Sequence, residues 1–372
     1  MRKIQAALPG VVLVLSGLWI AAGSAGSLPT TFFALRATVI QYSGILGIGC
    51  MSVAMILAMR PRWPEEWLGG LDKMYRLHKW LGVTGLVVAV IHWLWAQGPK
   101  WAVAWNLLPR PVRGPRPVLE NPIELLFQGL RGTAEGMGQW AFYAAAMLIV
   151  LALIPRFPYR WFFKTHRVLA AAYLVLVFHA VVLIEFSYWT TPLGAVMAPL
   201  LAYGAWSAAV VLTGRVGGGR RVQGTLASVR CYPGVRSLET AIWVPQGWPG
   251  HKSGQFAFVT WDRSEGAHPF TIASAWNGAD RKINFVIKEL GDHTSRLREM
   301  LKIGQRVAIE GPYGCFTFDD GRPRQIWIGG GIGITPFIAR MKQMAQPGAR
   351  QVFPVVHLFH TTIASQRVVS EA

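Results

Sequence analysis

Acidic residues are scarce in this chain: 18 aspartates and glutamates stand against 37 lysines and arginines, and charged residues of both signs fill 15% of its 372 positions. So few charges cannot coat a water-facing surface of that size. A hydrophobic share of 52% with a mean hydropathy of +0.33 excludes an ordinary water-soluble enzyme and points to a membrane protein. Cysteine is almost missing, and the spacing of Cys50, Cys231 and Cys315 excludes both a disulfide framework and a cysteine metal knuckle. Repeats and low-complexity segments are absent too. The net charge of +19 would suit nucleic acid, but the basic residues sit beside apolar runs and no basic-aromatic binding motif accompanies them. The partner they imply is membrane lipid, and no nucleic acid is expected.

Long apolar runs are what the chain does have. Six are legible, at 1–23, 32–59, 74–97, 138–155, 164–185 and 192–213, each long enough to cross a hydrocarbon layer of about 30 Å. The first, with Arg2 and Lys3 ahead of it and Ala22-Gly-Ser-Ala-Gly behind, also fits a cleavable signal peptide; a retained helix is expected because five more spans follow. The loops at 60–77 and 155–164 carry Arg60, Arg62, Lys73, Arg76, Arg156, Arg160 and Lys164, whereas 186–191 has no charge. Excess positive charge marks the cytoplasmic side. A multi-pass protein of the inner (plasma) membrane is therefore expected, with everything after Arg215 cytoplasmic and a loop at 98–137, holding Arg110, Arg113 and Arg116, outside.

Two of these spans carry paired histidines, His78 with His92 and His166 with His179. An ionisable group inside hydrocarbon is costly and asks for a chemical reason. The spacing of fourteen in the first pair is a rise of about 21 Å and a rotation about 40° short of four turns, so both rings leave nearly one face. The spacing of thirteen in the second falls about 140° short, which requires either a bulge or rings approaching from different sides. The depths match: His78 with His166 near one surface, His92 with His179 near the other. Two neutral imidazoles from facing helices make an axial pair for haem iron, and two such layers would hold two b-type haems as an electron path across the bilayer. Four unrelated histidines bonded to helix backbones are the other reading.

Arg215-Val-Gly-Gly-Gly-Arg-Arg221 is a basic glycine-rich hinge. Beyond Val222 the texture changes to short β-branched and aromatic runs, among them Thr240 to Val244, Gln255 to Thr260 and Lys282 to Ile287, which read as an antiparallel barrel. From Gln325 the order is strand, glycine turn, helix near 336–346 and strand Val352 to Phe359, one β-α-β unit. The fold expected is a membrane all-α six-helix haem bundle (1–214), an antiparallel β-barrel (215–322) and a partial α/β nucleotide-binding domain (323–372).

His268-Pro269-Phe270-Thr271-Ile272-Ala-Ser274 follows the strand from Gly254 and resembles the flavin signature of the ferredoxin-reductase-type FAD domain, in the form used by NADPH oxidases and ferric reductases. Lys288-Glu-Leu-Gly291-Asp-His-Thr294 resembles the second signature of that domain, whose helix-opening amides take a pyrophosphate. Glu310-Gly311-Pro312-Tyr-Gly and Gly329-Gly330-Gly331-Ile-Gly333-Ile-Thr335-Pro336 resemble the next two blocks, the last with the strand-to-helix context a dinucleotide needs. The membrane half resembles the ferric-reductase-like transmembrane domain.

The resemblance implies hydride transfer from NADPH or NADH to FAD, two haems as metal centres at His78, His92, His166 and His179, and oxygen or a ferric chelate as external acceptor. It implies that Thr271 and Ser274 reach the flavin and that Thr335 adds a hydroxyl near the nicotinamide. A haem subunit feeding a periplasmic protein partner and an inactive truncated product are the alternatives. Complete members of this family continue with further strands and a Cys-Gly-Pro-type block where this chain stops, so slow NAD(P)H oxidation is expected of it.

Overall fold

The computed structural model describes residues 2–24, 30–110, 119–157, 159–262, 265–346 and 354–361. The chain forms two units, Met1–Pro64 with Asp72–Val216, and Glu65–Leu71 with Gly217–Ala372.

The first unit holds α1 (Arg2–Trp19), α2 (Phe32–Ala58), α4 (Leu71–Ala104), α5 (Pro122–Leu153), α6 (Tyr159–Leu183) and α7 (Pro192–Leu212), while the short α3 (Arg62–Leu68) lies between α2 and α4. Six helices are long and apolar enough to cross a membrane, and the chain is a multi-pass membrane protein. The expected outer loop at 98–137 needs correction, because α4 runs on through Pro99 to Ala104 and α5 begins at Pro122. The start of α5 is chemically fixed: Asn121 Oδ1 accepts from the Ile123 amide at 2.9 Å, and Pro122 sits where a helix needs no N–H. Arg113 and Arg116 lie outside the described residues.

Small residues bring the spans together, as expected where lipid removes the hydrophobic drive between helices. Ala134, Gly138, Ala141 and Ala145 make the buried stripe of α5. Tyr173 of α6 is fully buried, its hydroxyl 2.7 Å from Ser52 Oγ of α2, and Gly204 of α7 gives its phenol room that a Cβ would fill.

In the second unit β1 (Arg221–Tyr232), β2 (Ser237–Trp243), β3 (Phe256–Thr260), β4 (His268–Thr271), β5 (Lys282–Lys288) and β6 (Arg306–Tyr313) pair antiparallel in the order β4-β3-β6-β1-β2-β5. The outer strands then meet. Ile272 bridges Phe285 and the Ala273 amide donates to Asn284 O at 2.8 Å, which closes the sheet into a barrel. Alternation in β5 turns Ile283, Phe285 and Ile287 inward onto Leu226, Ile242, Val259, Val307 and Ile309, each side chain worth about 1.5–3 kcal/mol on burial. Helix α8 (Asp292–Met300) follows β5, and its Leu297 joins this core.

β7 (Arg324–Gly330), α9 (Thr335–Met344) and β8 (Val355–Thr361) complete the unit, with β7 and β8 parallel. One face of this pair packs Trp327, Val356 and Leu358 against Phe318 and Phe337. The other shows Ile326, Ile328, Val355 and Phe359 to solvent.

Candidate functional site

In the membrane unit the four histidines meet in two pairs. The ring centres of His78 and His166 are 5.8 Å apart with planes at 67°, and those of His92 and His179 are 6.3 Å apart at 80°. Helix α6 is a continuous α-helix with no bulge, so of the two ways of using a spacing of thirteen, the rings approach from different sides. Three of the four are anchored through Nδ1. His78 donates to Ala54 O at 2.8 Å, His92 to Ile40 O at 3.0 Å and His179 to Ala134 O at 2.8 Å. An Nδ1–H so engaged leaves Nε2 as the lone-pair nitrogen, the form that binds a metal. The His166 Nδ1 is buried without a hydrogen-bond partner, and its ring is instead stacked on Phe162 at 5.0 Å. Glycines clear the space: a Cβ at Gly138 would fall on the His179 ring, and one at Gly44 would lie 3.4 Å from His92 Cε1.

In the second unit β4 lies antiparallel to β3, with Thr271 opposite Phe256, Phe270 opposite Ala257, Pro269 opposite Phe258 and His268 opposite Val259. Phe270 packs on the barrel core and Ile272 is fully buried, so these two set the strand's position. Thr271 is half-buried. Ser274 is buried, and its hydroxyl accepts the Asn284 amide at 3.1 Å, while its carbonyl accepts from His251 Nε2 at 3.0 Å. Its oxygen thus ties β5 to the segment that follows β4.

The second signature folds as a helix start. Thr294 Oγ1 accepts the amides of Leu290 at 2.9 Å and Gly291 at 3.2 Å, a cap that orders the first turn of α8. The sequence reading passed over His293, which lies inside the motif. Its ring stacks on His268 at 4.2 Å and 13°, which brings the two signatures together, and it is 9% exposed with neither nitrogen hydrogen-bonded. Burial pushes the pKa of both imidazoles down, and in His293 the neighbouring His268 pushes the same way. Glu265, within reach of both, is held by Arg296 at 2.8 Å.

The glycine turn after β7 also approaches the second signature. Lys288 Nζ lies 3.8 Å from the Cβ position of Gly331, whose φ of 52° suits glycine. Gly329 lets β7 pass close to Ile334, where a Cβ would lie 3.1 Å from Ile334 Cα. Gly330 and Gly333 are exposed and Pro336 opens α9. Thr335 is buried and donates to Ile332 O at 2.7 Å, which closes its own turn. Gly311 and Pro312 follow Glu310 on β6, and a Cβ at Gly311 would lie 3.4 Å from Ala257.

Residues 43–177 match the family described as the ferric reductase like transmembrane component, and residues 225–317 match an FAD-binding domain family. Among curated proteins, the respiratory burst oxidase homolog protein E of Arabidopsis thaliana is 28% identical over 214 residues, 49% of this chain and 21% of its own length. Ferric reduction oxidase 5 of Arabidopsis thaliana is 38% identical over 81 residues, 21% of this chain and 12% of its own. The reductase component of propane 2-monooxygenase from Rhodococcus jostii is 30% identical over 122 residues, 32% of each chain. The matched parts thus span about a third or less of these relatives. The first match takes in His78, His92 and His166 and ends just before His179, and the second takes in most of the barrel, so the chain is similar to a ferric-reductase-like transmembrane component followed by an FAD-binding domain.

Proposed function

We propose that this chain carries electrons across a membrane, from a reduced nicotinamide nucleotide on the cytoplasmic side to oxygen or a ferric chelate outside. When bound, FAD would accept a hydride from NADPH or NADH and release electrons singly, and haem iron between two imidazoles would take up and give back one electron at a time. The carrying observation is the pairing of four intramembrane histidines in two layers, three of them tautomerically fixed by helix carbonyls. Two imidazoles on one iron, with bonds of about 2 Å, have ring centres about 6 Å apart, close to the 5.8 and 6.3 Å separations. The donor set therefore fits b-type haem in both layers.

The barrel's part is to hold and orient. Phe270 and Ile272 fix β4 so that Thr271 lies half-buried at its C-terminal end; His268, His293 and the amides at the start of α8 offer donors suited to a pyrophosphate. Lys288 and the Gly329 to Gly333 turn would receive the nicotinamide nucleotide's phosphates. The clustering of Arg60, Arg62, Lys73, Arg76 and Lys164 at one end of the spans supports a cytoplasmic second unit. The names of the plant relatives, a ferric reduction oxidase and a respiratory burst oxidase homolog, support the two acceptors.

Sealed vesicles test this. With ferricyanide trapped inside, NADPH or dithionite added outside should reduce it in vesicles holding the chain, and should not in protein-free vesicles or those holding His92→Leu. Equal rates in all three would overturn the reading.

A further inference from the structure

Residues 65–71 lie in sequence between the membrane helices α2 and α4, yet they fold with the second unit. The residue that fastens them is Glu65. Its side chain is buried, 5% exposed; Oε1 accepts the Gly314 amide at 2.8 Å and Oε2 accepts from Arg220 Nη1 at 3.3 Å. The Arg220 guanidinium lies over the Tyr313 ring at 4.7 Å. Tyr313 donates to Glu310 Oε1 at 2.7 Å, and Arg221 pairs with the other Glu310 oxygen at 3.3 Å. Three segments remote in sequence are thereby joined: the helix α3, the hinge at 217–221 and the turn Glu310-Gly-Pro-Tyr-Gly314.

A carboxylate taken out of water costs several kcal/mol unless charge and hydrogen bonds replace the solvent. Here an arginine and a backbone amide do so, and both come from the flavin unit. The barrel does not need this contact for its own closure, which Ile272, Ala273 and β5 already make. What Glu65 adds is a second connection. Besides the hinge after α7, the turn bearing Gly311 and Pro312 is held to the short lead-in of α4, the helix that carries His78 and His92. A carboxylate outside every cofactor motif thus ties the flavin barrel, through a hydrogen bond and an ion pair, to the segment that leads in sequence into α4.

We propose that Glu65 is a positioning residue for electron transfer from the flavin to the His78–His166 layer, an inference that rests on the function proposed above. Loss of its grip lets the turn at 310–314 and the start of α4 move independently, and misplacement of about 1 Å can cost as much as ~100-fold in rate. The test uses the full chain with FAD and haem bound. Anaerobic illumination with EDTA reduces the flavin, and the growth of reduced-haem absorbance is timed in wild type, Glu65→Gln and Glu65→Ala.

Glu65→Ala should slow haem reduction about tenfold or more, with FAD affinity and haem content within about twofold of wild type. Glu65→Gln keeps an acceptor for Gly314 but loses the charge facing Arg220, and should fall between. Should Glu65→Ala lack a cofactor because it misfolds, Glu65→Gln alone decides, a wild-type rate overturning the proposal. Equal rates in wild type and Glu65→Ala overturn it without touching the function proposed. Loss of FAD affinity in proportion to the rate would also overturn it, making Glu65 a support of the flavin cradle. Absence of flavin-driven haem reduction in the wild type would overturn both readings.

Discussion

His179 and Ala134 are joined by a hydrogen bond of 2.8 Å from the imidazole Nδ1 to the backbone carbonyl, and one turn further along α5 Gly138 leaves the ring its space. Helix α5 thus dictates both the tautomer and the place of a histidine carried by α6. Replacing Gly138 with Val puts a branched side chain on the ring. The expected outcome is loss of one of the two haems with the other retained, read from the reduced α-band per chain; an unchanged haem content would show that His179 is not held this way.

The two layers should differ in strength. His166 has no carbonyl anchor and depends on stacking with Phe162, whereas an orienting partner of a metal-bound histidine is typically worth about 10–100-fold in affinity. Phe162→Ala should therefore weaken the His78–His166 haem selectively. Titration of the haem-depleted protein with haemin should resolve two affinities in wild type and a wider gap between them in the variant.

Thr271 and Ser274 separate binding from folding. Thr271→Ala should lower FAD affinity several-fold and leave the melting temperature of the flavin unit unchanged. Ser274→Ala leaves the buried Asn284 amide without its acceptor, a loss of about 1–3 kcal/mol, and should lower the melting temperature before it affects flavin affinity. Flavin fluorescence during thermal release reads both.

A pH dependence follows from His251. Burial holds its pKa down to about 4 against an ordinary 6.5, so between those values the unfolded chain binds the proton and the folded chain does not. Stability is full above pH 6.5 and falls as the pH drops toward 4, by up to about 3 kcal/mol. Melting of the flavin unit at pH 7 and pH 5 should show this fall in wild type and a smaller one in His251→Gln.

Much of this was legible in the sequence because period and spacing are local. The six spans, the four histidines and the short barrel strands follow from apolar runs of the right length and from alternation of two. The long extension of α5 was missed because Asn121-Pro122 is a cap signal whose following turns are less apolar than a span. The destinations of Ser274 and Thr335 were also hidden, since a hydroxyl's partner depends on tertiary neighbours such as Asn284. His293 sat in plain view, but its stacking on His268 needs β4 and α8 to be adjacent, and Glu65 gave no signal, being one of three acids, with Glu66 and Asp72, in a basic loop.

The most direct measurement is the amount of haem bound by the full chain. Pyridine haemochrome analysis of the purified protein, normalised to protein by amino-acid analysis, should give two b-type haems per chain with a low-spin bis-imidazole spectrum, and one in His92→Leu. One haem or none in the wild type would contradict the two-layer arrangement of His78 with His166 and His92 with His179.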